Sequence, residues 1–370
     1  MTARVLWLTK GLGLGGAERL LRVMAPRLDR DRYELDVAYV LPWKDAFVGQ
    51  MRADGVRVVC LGAARTVDPG WIWRLRGLLV KRRYDLIHTH SPVPAVAARL
   101  LAPPGSRFVH TEHNVWERYR WPTRVANAAT YHRNRAALAV SDGVAASIAP
   151  PVWALGRPPE VRTLLHGVEP DEVPRGLEMA ARARARLGLD ADAPVLGTVA
   201  NLTPKKDQAT LLAAVDRLRH RWPALRLLLI GSGPLEDELR ATVARLALDD
   251  HVWFLGSRDD VPDLLPAMDV FTLSSRYEGL PISLLEAMAA QVACVVTNVG
   301  GIPEAIEHDR DGLLVPPGDP ETLAGALGAV LGDDARRGRL AAAGRDRVVR
   351  DFSIDRAVAE TDALYQRLLG

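Results

Sequence analysis

Residues 5–19 read VLWLTKGLGLGGAER and pass from an apolar, strand-like run through a glycine loop into a helical pattern. Glycine tolerates tight turns and lets backbone N–H groups approach an anion at the start of a helix. A strand, a glycine turn and a helix in this order form the first part of a doubly wound α/β sheet. The stretch therefore predicts that the chain opens with a Rossmann-like domain.

The alternation of strand and helix continues through the first half of the chain. The predicted strands there are Val5–Thr9, Glu34–Leu41, Val56–Leu61, Leu86–Thr89, Phe108–Thr111 and Ala136–Val140. A second series covers Val195–Val199, Leu225–Ile230, Val252–Leu255, Val270–Leu273 and Cys294–Thr297. Strands separated by helices favour parallel sheets, in which ligands bind beyond the carboxyl ends of the strands.

The domain organisation follows from the break between these two series. The break contains Pro150-Pro151, Pro158-Pro159, Pro170 and Pro174, followed by an Arg/Ala-rich helical stretch. We predict an N-terminal domain over residues 1–170, a connection over 171–193 and a C-terminal domain over 194–350, the two domains facing each other across a cleft. Residues 351–370 carry an apolar helical stripe, which predicts a closing helix that packs back on the N-terminal domain.

Charge is distributed unevenly along the chain. Residues 1–168 contain 25 Lys and Arg against 13 Asp and Glu, whereas residues 169–370 contain 23 against 32. A positive half is typical of a protein that meets an anionic partner or surface, although solvated helix faces would give the same count.

Cysteine usage and hydropathy bear on the compartment. Cys60 and Cys294 have neither metal-ligand spacing nor the number needed for a disulfide framework. No basic and apolar leader precedes the first strand, and no apolar run is long enough to cross a bilayer. We therefore expect a cytoplasmic protein that meets a membrane, if at all, at its inner face.

The glycine loop also matches the dinucleotide fingerprint G-x-G-x-x-G, which requires an acidic residue at the end of the second strand. Asp36 has a suitable separation from the loop but lies inside that strand. A nicotinamide-dependent oxidoreductase is therefore an alternative with little support. A tight turn that binds nothing is a further alternative.

Histidines follow two neighbouring strands of the first half. His88 and His90 end the fourth strand, and His110 and His113 end the fifth. Four histidines at one sheet edge could bind a metal, but no carboxylate or cysteine with ligand spacing completes such a site. We interpret His88, His90 and His110 as structural hydrogen-bonding residues and assign His113 to chemistry.

Two segments of the second half carry the strongest chemical signal. Residues 201–207, NLTPKKD, place two lysines at a strand-to-helix turn, where phosphate binds favourably. Residues 277–288, YEGLPISLLEAM, place Glu278 before a helix start and Glu286 inside the helix. The helix start favours a diphosphate, and a carboxylate on an otherwise apolar helix requires a partner such as a ribose diol.

These residues resemble the retaining glycosyltransferases of the GT-B fold, specifically glycosyltransferase family 4. The segment from Glu278 to Glu286 is the most specific part of the resemblance. The other matching segments are Gly15–Glu18, His88–His90, Thr111–His113, Ser141-Asp142, Asn201–Lys206, Gly231–Pro234 and Gly300–Glu304.

The resemblance implies a transfer of sugar from a nucleotide-diphosphate sugar, with retention of anomeric configuration. His113, Glu278 and Lys206 are then catalytic: Lys206 pairs with the diphosphate, and Glu278 and His113 contact the sugar. Glu286 holds the ribose. The other donor-binding residues implied are Gly15, Gly16, Asn201, Lys205, Gly256, Ser257, Arg258, Gly279, Leu280 and Pro281.

The sequence departs from the family pattern at two positions. Asn201 stands where the family often has Arg, so Lys205 is the candidate for the missing charge. His166 stands where the family commonly has Asn. No D-x-D motif follows a strand end, and we expect no metal and no other cofactor.

Acceptor recognition is expected in the basic first domain. Trp71–Arg83 contains five basic residues and no acid, and Trp116–Arg135 is a second basic, aromatic region. This composition suits an anionic, lipid-linked or glycan acceptor and peripheral membrane contact, although the tryptophans would equally suit core packing. No nucleic-acid-binding motif accompanies it. A nucleotide-sugar epimerase remains the main alternative to a transferase.

Overall fold

The computed structural model describes residues 2–63, 68–148 and 158–370, so that Pro150-Pro151 lies outside the described residues. The chain divides into two compact units. The first comprises the chain up to His166 together with Ile354–Gly370, and the second comprises Gly167–Ser353. Each unit contains one parallel β-sheet covered by helices.

The first unit has a seven-stranded parallel sheet with the order β3-β2-β1-β4-β5-β6-β7. Its strands are β1 Ala3–Thr9, β2 Tyr33–Tyr39, β3 Arg57–Cys60, β4 Leu86–Thr89, β5 Arg107–Glu112, β6 Asn134–Ala139 and β7 Glu160–Thr163. The helices between them are α1 Gly16–Met24, α2 Val48–Ala53, α3 Gly70–Arg82, α4 Pro92–Leu101, α5 Trp121–Thr130 and α6 Asp142–Ser147. The six predicted strands are present, with ends shifted by one or two residues.

Side chains of β1 alternate between two cores because successive residues of a strand point to opposite faces. Val5 and Trp7 belong to the core under α1 and α2, while Leu6 and Leu8 belong to the core under α3 and α4. All four are almost completely buried. Burial of such a side chain contributes about 1.5–3 kcal/mol, so the central strand is fixed by both of its faces.

Asp36 has a structural role in this sheet. Its carboxylate is buried in β2 and accepts hydrogen bonds from Arg57 Nη1 at 2.6 Å and Tyr84 Oη at 2.5 Å. Arg82 Nε adds a third contact at 3.3 Å. The carboxylate therefore joins β2 to β3 and to the end of α3, which leaves the dinucleotide interpretation without its ribose-binding acid.

The second unit has a six-stranded parallel sheet with the order β10-β9-β8-β11-β12-β13. Its strands are β8 Val195–Val199, β9 Arg226–Ile230, β10 Val252–Gly256, β11 Val270–Leu273, β12 Ala293–Thr297 and β13 Leu313–Val315. Its helices are α7 Leu177–Leu187, α8 Gln208–Leu218, α9 Glu236–Arg245, α10 Val261–Leu264, α11 Ile282–Ala289, α12 Ile302–Ala305, α13 Pro320–Leu331 and α14 Asp334–Asp351. The five predicted strands are present.

The Arg/Ala-rich helix α7 belongs to the second unit. Arg184 donates to Asp269 Oδ2 at 2.9 Å and to the carbonyl oxygens of Ala267 and Ala193 at 3.2 and 3.0 Å. The partly buried guanidinium of Arg184 thus fixes α7, which we assigned to the connection, beside β8.

The last helix, α15 Ile354–Leu369, packs in the first unit. Tyr365 is fully buried, and its hydroxyl accepts a hydrogen bond from Trp7 Nε1 at 2.9 Å. Tyr33 Oη donates to Asp362 at 2.6 Å. The predicted apolar stripe is therefore the face that completes the first core. Within the described ranges, no helix has the length and apolar character needed to span a bilayer.

Candidate functional site

The turn after β8 carries the two predicted lysines. Residues Pro204–Lys206 form a short 3₁₀ turn, and Asp207 adopts a left-handed conformation with φ of 47° before α8 begins. The loop after β11 holds this turn: Ser274 Oγ hydrogen-bonds to the carbonyl oxygen of Asp207 at 2.9 Å, and Arg276 Nε donates to the Asp207 carboxylate at 2.8 Å. Two neighbouring strand ends are thereby joined.

Lys206 and Glu278 form an ion pair at this edge of the sheet. Lys206 Nζ lies 2.5 Å from Glu278 Oε1, and the exposed fractions of the two side chains are 11% and 6%. Ser275 Oγ donates to the same carboxylate oxygen at 2.6 Å. The two predicted catalytic residues of the second half are therefore in direct contact and largely shielded from solvent.

Glycine supports the backbone beneath Glu278. Gly300 has φ of +55°, and a Cβ at this position would lie 1.9 Å from the carbonyl oxygen of Glu278. Gly301 N donates to the carbonyl oxygen of Gly279 at 2.8 Å. Gly300 and Gly301 belong to the family pattern quoted above, which gave them no role. In the structure Gly300 permits the close approach of the loop after β12 to the backbone of Glu278.

Helix α11 begins at Ile282, and Pro281 occupies its N-cap position. Leu280 and Pro281 are buried, which fixes the chain direction at the helix start. Glu286 is only 5% exposed and lies among apolar residues of the helix. The start of a helix presents backbone N–H groups and a partial positive charge, so this end of α11 suits an anion.

Two more glycines bring the loops after β8 and β9 together. A Cβ at Gly231 would lie 2.1 Å from the carbonyl oxygen of Ala200, and one at Gly233 would lie 2.3 Å from that of Leu202. Asn201 and Lys205 lie in the same turn with exposed side chains. The predicted diphosphate-binding turn is therefore closely packed on its inner side and open on its outer side.

The predicted base-binding residues follow β10. Gly256 ends the strand with φ of +66°, and Ser257 Oγ lies 2.7 Å from Ser232 Oγ in the loop after β9. Arg258 forms a two-bond ion pair with Asp260 at 2.7 and 2.6 Å. The arginine is thus held in place by its own loop.

The glycine loop of the first unit is braced by the segment after β2. Leu12 N donates to the carbonyl oxygen of Lys44 at 2.7 Å, and a Cβ at Gly11 would lie 2.7 Å from Lys44 Cβ. Gly15 caps α1, which starts at Gly16. Burial raises the pKa of Glu18 in the first turn.

His113 lies between two other imidazole rings in the first unit. Its Nε2 is 3.5 Å from His90 Nδ1, and its Nδ1 is 3.3 Å from His166 Nε2. His88 contacts Tyr365 Oη and Thr111 Oγ1 at 2.5 and 2.7 Å. His166, one of the two departures from the family pattern, therefore contacts the histidine that we assigned to chemistry.

Burial keeps these imidazoles neutral. Desolvation, with smaller contributions from neighbouring histidines, lowers the pKa of His88, His90 and His166 well below the usual value and that of His113 to about 4. A neutral ring donates through one nitrogen and accepts through the other, which suits the row His90–His113–His166.

A pH-dependent stability of the first unit follows. Since the folded pKa values lie below the unfolded value near 6.5, the unfolded chain binds more protons as pH falls, and stability is lost from about pH 6.5 downward. We expect each of these histidines to contribute about 1.4 kcal/mol per pH unit in that window. Hydrogen exchange of β4 and β5 amides between pH 7.5 and 5 measures the slope.

The matched comparison for this measurement is His166→Asn against His220→Asn. His220 is exposed in the second unit, so its replacement should leave the slope of the first unit unchanged. His166→Asn should make the slope shallower. An equal slope in His166→Asn and in the wild type would contradict a neutral, buried His166.

Glu112 is fully buried in the first unit. It belongs to the Thr111–His113 segment of the family pattern, but the sequence analysis gave it no role. Its buried carboxylate accepts hydrogen bonds from Trp116 Nε1 at 2.8 Å, Tyr119 Oη at 2.5 Å and Asn127 Nδ2 at 3.1 Å. Burial raises its pKa, but His110 and these donors outweigh that effect and lower the pKa to about 2. Glu112 therefore anchors the segment that follows His113.

The structure brings together Lys206, Glu278 and the start of α11 in the second unit, and His113 belongs to a separate cluster in the first. Within the described parts of the chain, no group of three or more His, Cys, Asp or Glu side chains is arranged to hold a metal ion. The histidines of β4 and β5 instead contact hydroxyl groups, carboxylates and one another.

Family models match both halves of the chain. Residues 14–172 match the model described as Glycosyltransferase Family 4, and residues 193–333 match that described as Glycosyl transferases group 1. A GDP-mannose-dependent alpha-(1-6)-phosphatidylinositol monomannoside mannosyltransferase of Mycobacterium tuberculosis is 29% identical, with 94% of this chain and 93% of the relative covered. A UDP-Gal:alpha-D-GlcNAc-diphosphoundecaprenol alpha-1,3-galactosyltransferase of Escherichia coli is 25% identical, with coverages of 88% and 86%.

A solved structure shares the fold. The Anabaena protein Alr3699/HepE, crystallised with UDP-glucose, superposes with a TM-score of 0.86 at 22% identity, covering 97% of this chain and 99% of that one. The superposed part of this chain includes both parallel sheets described above. The epimerase and oxidoreductase alternatives find no support among these relatives. The chain belongs to glycosyltransferase family 4 and is a glycosyltransferase with the GT-B fold.

Proposed function

We propose that the chain transfers a hexose from a nucleotide-diphosphate sugar to a lipid-linked or glycan acceptor, with retention of anomeric configuration and without a metal. The observation that carries the proposal is the group formed by Lys206, Glu278 and the start of α11. It combines a cation, a carboxylate and a helix N-terminus at the carboxyl edge of one sheet. Such an arrangement suits a diphosphate leaving group beside a sugar.

The chemistry requires charge stabilisation above all. Breaking the anomeric C–O bond develops negative charge on the diphosphate and positive charge on the sugar ring. Lys206 and the N–H groups at the start of α11 oppose the former, and Glu278 opposes the latter. The buried Glu286 holds the ribose hydroxyls, and the loop Gly256–Arg258 frames the base. In a same-face displacement the leaving phosphate helps to accept the proton of the acceptor hydroxyl.

Relatives support a nucleotide sugar as the donor but differ in the nucleotide. The mycobacterial relative is described as GDP-mannose-dependent and the Escherichia coli relative as using UDP-Gal. The proposal is tested by thermal unfolding with UDP- and GDP-sugars, followed by NMR of the product. An α-linked product from an α-linked donor, formed equally in the presence of EDTA, is expected. A β-linked product would contradict retention, and stabilisation by NAD alone would contradict the donor class.

His113 is proposed to serve the chemical step from the first unit. The rings of His90 and His166 contact its two nitrogens and thereby hold its orientation. Its replacement should reduce turnover without weakening nucleoside diphosphate binding, since Lys206 and Glu286 belong to the second unit.

A basic, aromatic face of the first unit supports an anionic or membrane-borne acceptor. Helix α4 packs between α3 and α5, and Trp73 and Trp121 on the outer two helices are 70% and 77% exposed. Exposed basic residues on or beside these two helices include Arg76, Lys81, Arg83, Arg120 and Arg124. Exposed tryptophan beside arginine suits the headgroup region of a bilayer, so a cytoplasmic enzyme at the inner face of a membrane is proposed.

Two arginines of α3 already have partners within the first unit and are therefore poor candidates for membrane contact. Arg74 donates to the carbonyl oxygens of Leu61 and Gly62, and Arg82 pairs with Glu34 and Asp36. These two arginines serve the fold of the first unit. A test of membrane contact should therefore leave both of them in place.

We expect salt-sensitive sedimentation of the protein with phosphatidylglycerol vesicles and none with phosphatidylcholine vesicles. Replacing Arg76, Lys81, Arg83, Arg120 and Arg124 by Ser should abolish this binding, and about 0.5 M salt should weaken it in the wild type. Serine replacements of Arg182, Arg217 and Arg339, exposed in the second unit, provide the control. Full activity on a soluble glycan acceptor with no vesicle binding would reject a peripheral membrane enzyme.

A further inference from the structure

The ion pair in the candidate donor site poses a physical problem. A cation that binds a diphosphate must offer its charge to the ligand, yet Lys206 Nζ already lies 2.5 Å from a carboxylate oxygen. Both side chains are largely buried, so solvent screens this attraction less than it would at the surface. The pair as it stands presents little net charge to an incoming anion.

Glu278 is held in the position of a counter-ion by more than Lys206. Ser275 Oγ donates to the same oxygen at 2.6 Å, and Thr297 Oγ1 fixes the loop through the carbonyl oxygen of Ser275 at 2.7 Å. The backbone of Glu278 is supported by Gly300. The carboxylate is therefore placed before any ligand arrives, and the ammonium group of Lys206, at the end of a four-carbon stem with rotatable bonds, is the partner able to move.

The arginines near this ion pair are themselves paired with carboxylates. Asn201 brings no charge to the turn, Arg276 pairs with Asp207, and Arg258 pairs with Asp260. In the described part of this site, each of these arginines already faces a carboxylate. Lys205 lies on the exposed side of the turn, so Lys206 is the shielded cation of this turn whose charge becomes available when Glu278 takes another partner.

We infer that Glu278 acts as an internal competitor of the donor diphosphate for Lys206, and that the two exchange partners when the donor binds. The ammonium group of Lys206 moves from the carboxylate to the diphosphate, and the freed carboxylate becomes available to the sugar. No covalent bond changes in this step. The inference rests on the donor site proposed above and adds an order of events to it.

The exchange predicts that replacing Glu278 raises the affinity for the ligand, which is opposite to the usual effect of replacing a site residue. A site residue that only contacts the ligand weakens binding when it is replaced, whereas a competitor strengthens it. Glu278→Gln keeps the size of the side chain and its hydrogen-bonding capacity but removes the charge. We expect this variant to bind UDP or GDP about fivefold more tightly than the wild type, as loss of a competing interaction worth roughly 1 kcal/mol would produce.

The experiment is isothermal titration of the full chain with UDP, GDP, uridine and guanosine. The gain should appear for the diphosphate of the preferred base and be absent for the nucleoside, because only the diphosphate competes for Lys206. Glu236→Gln is the matched control, since it removes the same charge from an exposed ion pair with Arg240 in the same unit. Glu278→Asp, which shortens the carboxylate away from Lys206, replaces Glu278→Gln if the latter does not fold.

A double variant completes the cycle. In Lys206→Ala combined with Glu278→Gln, the gain from Glu278→Gln should be much reduced, because no ammonium group remains for which the carboxylate competes. Unchanged or weaker diphosphate binding in Glu278→Gln, or an equal gain for the nucleoside, overturns the exchange while leaving the donor site intact. Failure of the wild type to bind UDP or GDP overturns the donor site itself and the exchange with it.

Discussion

Replacing Lys206 by Ala is expected to weaken nucleoside diphosphate binding by about 30-fold or more while leaving nucleoside affinity nearly unchanged. Loss of a charge-assisted contact costs about 2 kcal/mol, and the variant also leaves the Glu278 carboxylate largely buried without its cation. The unpaired carboxylate then repels the diphosphate. Titration with GDP and UDP, each compared with its nucleoside, measures the effect.

Lys205→Ala provides the comparison for this variant. Lys205 precedes Lys206 in the same turn and is exposed, so its removal takes away the same charge from a more solvated position. We expect a loss of only about threefold, in keeping with the small energies of exposed charges. A larger loss in Lys205→Ala than in Lys206→Ala would reverse the two roles and make Lys205 the substitute for the arginine that Asn201 replaces.

The positions of the buried strands and their parallel arrangement were predictable from the sequence because each of these strands is a continuous apolar run bounded by turns. The runs Val5–Thr9 and Val270–Leu273 illustrate this, since parallel strands covered on both faces must be apolar throughout. Two edge strands were missed for the opposite reason. β7, Glu160–Thr163, is largely exposed and carries two charges, and β13, Leu313–Val315, spans only three residues.

The pairing of site residues could not be obtained in the same way. The motif placed Glu278 before a helix and Lys206 after a strand, but their contact depends on the adjacency of β8 and β11, which are separated in sequence by two other strands. Similarly, the contact of His113 with His166 joins the ends of β5 and a segment beyond β7. Such contacts follow from tertiary structure and have no local signal.

The roles of several glycines were also hidden in the sequence. Gly231, Gly233 and Gly300 each lie where a Cβ would collide with a neighbouring carbonyl group. A sequence pattern shows that glycine occurs at a loop, but it does not show which backbone the loop approaches. The structure identifies Glu278 as the residue against which Gly300 packs.

Gly300→Ala is accordingly expected to destabilise the second unit by about 3 kcal/mol, the sum of a left-handed backbone cost and a steric clash. The clash is with the backbone carbonyl of Glu278, which a side-chain rotation cannot relieve. Displacement of that carbonyl also moves the carboxylate away from Lys206. We therefore expect a loss of turnover in the folded fraction in addition to the loss of stability, measured by chemical unfolding and by initial rates.

Gly318→Ala separates the two parts of this cost. Gly318 has φ of +72°, close to that of Gly300, but a Cβ there would meet no atom within 4 Å. Its replacement should cost only the backbone part, about 1 kcal/mol, and should leave turnover unchanged. Equal losses of stability and equal activities in the two variants would show that the close approach of Gly300 to Glu278 does not contribute to stability. The position of the carboxylate would then depend on Ser275 and Lys206 alone.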